Sequence, residues 1–119
     1  MVRTILIVDD HASFRSLART MLEADGLEVV GEAADGASAL AHARALKPDL
    51  ILLDVQLPDL DGFTVCERLA EEVGTPSIVL TSTRDISSYR RRLAQSSASG
   101  FIAKSDLSGS ALAAIVDHG

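Results

Sequence analysis

Asp49-Leu50-Ile51-Leu52-Leu53-Asp54 holds four consecutive large aliphatic residues between two acids, with no polar interruption. A strand with one wet face alternates apolar and polar side chains. An unbroken aliphatic run of this length is how a strand buried on both faces of a parallel sheet reads. Thr4-Ile5-Leu6-Ile7-Val8 upstream and Pro76-Ser77-Ile78-Val79-Leu80-Thr81 downstream have the same character. Two weaker strands are predicted at 27–31 and at Gly100-Phe101-Ile102-Ala103.

Helical periodicity fills the intervals. Phe14, Leu17, Ala18, Met21 and Leu22 recur at the spacing of one helix face, which Gly26 can stop. A second helix is predicted over 37–46, ahead of Pro48. Val65, Cys66, Leu69 and Val73 mark a third helix, opened by Gly62. A weaker Arg- and Ser-rich helix covers 86–95, and Leu107, Leu112, Ile115 and Val116 mark the last. Five βα units in succession predict an α/β fold: a doubly wound, five-stranded parallel sheet with helices on both faces, joined by right-handed connections. No linker or repeat interrupts the pattern, so residues 1–119 are expected to form one domain.

Composition narrows the function. A formal charge of −6 argues against direct nucleic-acid binding by this chain, which would require clustered Lys and Arg. The single cysteine, Cys66, permits no intrachain disulfide and suggests a reducing compartment, so a cytoplasmic location is expected. The N-terminal apolar run is too short for a signal peptide, and no stretch approaches a membrane span.

The polar residues that need explaining close the strands. Asp9 and Asp10 end the first, Asp54 the third, Thr81 and Ser82 the fourth, and Lys104 follows the fifth. The carboxyl ends of strands in a doubly wound sheet form its ligand crevice, so these groups should converge. Three carboxylates brought together repel and raise one another's pKa unless a cation intervenes. Mg2+ prefers one or two carboxylates together with water and phosphate oxygens. A hydroxyl and an ammonium beside them complete a clamp for a phosphoryl group, and a carboxylate can itself be the nucleophile.

On these residues the chain resembles the response-regulator receiver family along essentially its whole length. The resemblance rests on Asp9-Asp10, Asp54, Leu57-Pro58-Asp59-Leu60-Asp61-Gly62, Thr81-Ser82, and Phe101 three residues before Lys104. It implies the flavodoxin-like strand order 2-1-3-4-5. It also implies that Asp54 is the phosphoacceptor and that Mg2+ is held by Asp10, Asp54 and the Gln56 backbone carbonyl, with Asp9 assisting. By the same resemblance Lys104 pairs with a phosphoryl oxygen, Thr81, with Ser82 beside it, supplies the hydroxyl that moves onto the phosphoryl group, and Phe101 is the aromatic whose rotamer follows. Gln56 and Thr83 stand where the family tunes the lifetime of the phosphorylated state. The implied partners are a sensor histidine kinase or phosphotransfer protein and an output domain or effector, with a phosphorylation-dependent homodimer a further option.

Plainer readings compete at several positions. Asp10 could be a helix N-cap, Asp54 a turn residue, Lys104 a solvated charge and Phe101 core packing. Asp61-Gly62 reads as turn chemistry, and Asp59 and Asp61 are placed outside the site. Cys66 reads as inert packing, and His11, His42 and His118 as structural or exposed, although His11 could influence access to the site. Arg90-Arg91-Arg92 is a solvated face or a docking patch. Polar Lys104 and Thr81 are expected to contribute little to the stability of the resting fold. Many relatives have proline after the lysine; Ser105 here predicts a trans peptide.

Three other readings compete with this one. An aspartate-nucleophile phosphatase usually carries Asp-x-Asp after the first strand, where this chain has an adjacent pair. A flavin or nucleotide module needs a Gly/Ser/Thr-rich phosphate loop there, where this chain has Asp9-Asp10-His11. The third alternative is the N-terminal receiver of a longer transcriptional regulator with a helix-turn-helix output domain.

Overall fold

The computed structural model describes residues 3–72 and 76–118. Its strands are β1 (Thr4–Val8), β2 (Glu28–Ala33), β3 (Leu50–Asp54), β4 (Ser77–Ser82) and β5 (Gly100–Ala103). Its helices are α1 (Ala12–Ala24), α2 (Gly36–Leu46), α3 (Gly62–Glu72), α4 (Arg90–Ala94) and α5 (Gly109–His118). The strands form one parallel sheet in the order β2-β1-β3-β4-β5, the fold expected. Every residue of the aliphatic run on β3 is buried, as a central strand covered on both faces requires.

Strand alternation divides the core. Leu6, Val8, Ile51, Leu53, Ile78 and Leu80 face Ala39 and Ala43 of α2, Val65, Cys66 and Leu69 of α3, and Tyr89. Ile5, Ile7, Leu50, Leu52, Val79 and Ile102 face Ala18 and Leu22 of α1, together with Leu107 and Leu112 at α5. The crevice beside Asp54 opens between β1 and β3, where the strand order reverses: β1 is followed by β2 on one side, and β3 by β4 on the other.

Acids fix the helix ends. Asp59 accepts the Gly36 and Ala37 N–H groups at 2.7 and 3.0 Å, so the loop after β3 caps the N-terminus of α2. Asp25 accepts the Gly109 N–H of α5 at 2.7 Å. Gly26, at φ +93°, supplies the left-handed turn after α1. Gly62 meets another demand: a Cβ there would lie 2.3 Å from the Asp54 carbonyl oxygen. The loop can fold back over the end of β3 only with glycine at that point.

Three expectations change. Leu17 is 59% exposed, because it sits on the flank of a stripe centred on Ala18 and Leu22. The helix over 86–95 is broken: a 3-10 turn spans Ile86–Ser88, and α4 begins only after Tyr89. The Tyr89 ring turns into the core at that junction, and its packing overrides helical continuity. Lys104 and Thr81 are not surface residues: the Lys104 side chain is 13% exposed and Thr81 is fully buried. Val73 lies outside the described residues. The Lys104–Ser105 peptide is trans, as expected.

Candidate functional site: an acidic pocket at the strand ends

β1, β3 and β5 deliver Asp9, Asp54 and Lys104 to one point. Lys104 Nζ lies 2.5 Å from Asp9 Oδ2 and 3.2 Å from Asp54 Oδ2. Asp9 is fully buried and Asp54 nearly so. The Asp9 carboxylate also accepts the His11 N–H at 2.8 Å, and Asp54 Oδ1 accepts the Gln56 N–H at 3.0 Å. A cavity of about 180 Å³ opens here, lined by Asp10, His11, Asp54, Gln56, Leu57, Pro58, Ser82, Thr83 and Lys104. Phe14 of α1 flanks the ammonium, whose nitrogen sits 4.4 Å from the ring centre.

The two buried carboxylates differ electrostatically. Burial raises both, but at Asp9 the Lys104 ammonium and the His11 N–H outweigh it and hold the carboxyl below its usual range. At Asp54 burial, with the Asp9 charge adding to it, pushes the pKa up to about 6 despite the Gln56 N–H and Lys104. Burial would lower the Lys104 pKa, but the two acids overcome this and raise it. A pocket with one strained carboxylate is still short of positive charge.

A divalent cation fits that deficit. Ligand atoms of Asp9, Asp10, His11 and Asp54 all lie within 4.8 Å of one another, a spread that a single ion can span. Asp10 is exposed and lines the cavity. His11, read from sequence as structural or exposed, belongs to this group as well: its Nδ1 is 3.0 Å from Asp10 and 3.2 Å from Asp9. Its place next to the acidic pair was the available signal.

The two hydroxyls separate. Thr81 continues the row of Val79 and is sealed in, and its Oγ1 has no hydrogen-bond partner among the described residues. Ser82, one residue further, reaches the cavity wall with Thr83 behind it. Thr81 therefore does not line the pocket as expected of it. Ser82 Oγ accepts the Arg84 N–H at 3.1 Å and lies 3.4 Å from the Tyr89 hydroxyl. Phe101 is half-buried and packs on Tyr89, with ring centres 5.9 Å apart. Nothing in the run Ile86-Ser87-Ser88-Tyr89-Arg90 marks Tyr89 as the side chain that turns inward at a helix break.

Comparison with known proteins agrees with this arrangement. The family described as "Response regulator receiver domain" matches residues 5–116. BvgA of Bordetella pertussis, whose name describes a positive transcription regulator of virulence factors, is 40% identical over 105 residues. That similarity covers 87% of this chain and 50% of BvgA. A protein-glutamate methylesterase/protein-glutamine glutaminase of Anaeromyxobacter dehalogenans is 44% identical over 79 residues, covering 66% of this chain and 23% of that protein. The chain thus spans half or less of the length of these curated relatives. The signal receiver domain of NarL from Mycobacterium tuberculosis superposes with a TM-score of 0.84 at 31% identity, covering 98% of this chain and 95% of that one. With a family match over nearly its whole length and the same sheet in a solved relative, the chain belongs to the response regulator receiver domain family.

Proposed function

We propose that the chain is one phosphoacceptor switch unit over residues 1–119: it takes a phosphoryl group from a histidine kinase or phosphotransfer protein onto Asp54 and relays that state to an output domain or effector. The observation that carries this reading is the Lys104 ammonium bridging Asp9 and Asp54 at a cavity wall that also presents Ser82. An oxygen of ionised Asp54 forms the new P–O bond as the P–N bond of a phosphohistidine breaks, and the leaving imidazole keeps its electron pair and takes a proton. Lys104 offers its charge to a phosphoryl oxygen, and Ser82, rather than Thr81, offers the hydroxyl. Asp9, Asp10, Asp54 and the Gln56 carbonyl would hold Mg2+. When bound, that ion offsets the negative charge of the carboxylates and the phosphoryl oxygens. Water attack on phosphorus later breaks the P–O bond, releasing phosphate and restoring the carboxylate. Gln56 and Thr83 at the cavity wall set access for that water, and with it the lifetime of the state.

The chain is read as a switch and not as an enzyme with a separate substrate, although several relatives carry a methylesterase name. A cytoplasmic location suits a kinase-fed switch, and no helix among the described residues is long and apolar enough to cross a membrane. As BvgA is about twice as long, an attached output domain controlling transcription is the favoured context, with homodimerisation on phosphorylation as its means. Nucleic-acid contact then belongs to the output domain. Labelling by acetyl phosphate in Mg2+ tests the reading: it should vanish with chelator and fall at least tenfold in Asp10→Asn. Chelator-resistant labelling would refute the metal-assisted site, and steady release of phosphate from many phosphomonoesters would favour a phosphatase.

A further inference from the structure

Tyr89 stands at the break between the 3-10 turn at Ile86–Ser88 and α4. Its ring is buried between Phe63 of α3 and Phe101 of β5, with ring centres 6.0 and 5.9 Å away. Its hydroxyl is 3.4 Å from Ser82 Oγ. One side chain therefore touches the pocket hydroxyl, the aromatic of β5, the start of α3 and the start of α4. Phe101 has no polar side-chain atom with which to sense Ser82; Tyr89 has one.

We propose that Tyr89 is a positioning residue for phosphoryl acceptance: its hydroxyl holds Ser82 in the resting state, and a phosphoryl group that draws Ser82 away frees the ring and shifts α4. This inference rests on the functional reading above. A separation of 3.4 Å lies beyond the usual range for two hydroxyls, so the contact is weak and readily surrendered to a phosphoryl oxygen, which accepts more strongly. Once Ser82 turns, the Tyr89 hydroxyl is left in an apolar cluster without its partner, a state that polar groups avoid. Room for its escape is present. A cavity of about 340 Å³ lies beside the ring, and Asp59, Asp61, Arg84 and Arg92 line it with Tyr89. The hydroxyl can regain polar partners there without leaving the protein. The element that would follow is slight: α4 has five residues, and of these only Leu93 is not exposed. Two arrangements of Tyr89, each biased by what Ser82 is bonded to, make the differential contact that a ligand-driven switch needs.

Tyr89 is the single tyrosine and the chain has no tryptophan, so near-ultraviolet emission reports on this residue alone. Beryllofluoride with Mg2+ serves as the phosphoryl mimic, and fluorine NMR measures its binding independently. In wild type, emission should change with the same half-saturation as the fluorine signal, and in Ser82→Ala the emission response should disappear. Tyr89→Phe keeps the ring and removes only the hydroxyl, so it should bind beryllofluoride about two- to threefold more tightly, the worth of one weak hydrogen bond. A merely structural tyrosine would leave that affinity unmoved. Unchanged affinity in Tyr89→Phe, or unchanged wild-type emission at saturation, overturns the proposal. Absence of any bound fluorine signal in wild type overturns the functional reading instead.

Discussion

Lys104 Nζ stands 3.2 Å from Asp54 Oδ2, joining the end of β5 to the end of β3, and the same nitrogen reaches fully buried Asp9. Removing it leaves two buried carboxylates without the cation they share. Breaking a buried ion pair on one side costs roughly 3–5 kcal/mol, and the open cavity reduces that, so Lys104→Ala should lose about 2 kcal/mol. Mg2+ should restore part of the loss, because it replaces the missing positive charge. Urea unfolding of wild type and Lys104→Ala with and without Mg2+ checks both; equal stabilities would contradict the central place given to this ammonium.

The opposite pKa shifts of Asp9 and Asp54 predict opposite pH effects. Asp54 is raised to about 6, so its contribution to stability is full below the ordinary 3.8 and is lost as pH rises through 6. Asp9 is lowered, so its contribution is present above 3.8 and is lost as pH falls through its depressed value. Asp54→Asn should therefore melt higher than wild type at pH 8, and the advantage should shrink steadily as pH falls below 6. Mg2+ affinity in wild type should rise over the same interval, as the proton leaves Asp54. A thermal-melt series against pH reads the first effect and a Mg2+ titration the second.

Thr81 and Ser82 should part company. Thr81 Oγ1 is buried without a hydrogen-bond partner, and such a group costs about 1–3 kcal/mol. Thr81→Val should hold or raise stability, by up to about 1 kcal/mol, and leave acetyl phosphate labelling unchanged. Ser82→Ala should label yet lose the conformational response to beryllofluoride. Loss of that response in Thr81→Val, with Ser82→Ala behaving normally, would return the role to Thr81.

Much of this was legible in the chain. The run at 50–53 reads as a doubly covered strand, and in a parallel sheet the acids and lysine at the strand ends are brought to one edge. The missed features depend on side-chain direction. Near a strand end one residue decides whether a hydroxyl is sealed in or lines the wall, which separates Thr81 from Ser82. Helical spacing could not show that Tyr89 breaks its helix to stack on Phe63 and Phe101. Nor could it show that Asp59, placed outside the site, caps a helix from another part of the chain. Each of these depends on packing between segments far apart in sequence.

Intact-mass measurement after incubation with acetyl phosphate and Mg2+, followed by peptide mapping, tests the central claim most directly. Wild type should gain one phosphoryl group, borne on Asp54, and Asp54→Asn, folded by circular dichroism, should gain none. Full labelling of Asp54→Asn, or a phosphoryl group mapped to another residue of the wild-type chain, would contradict the account.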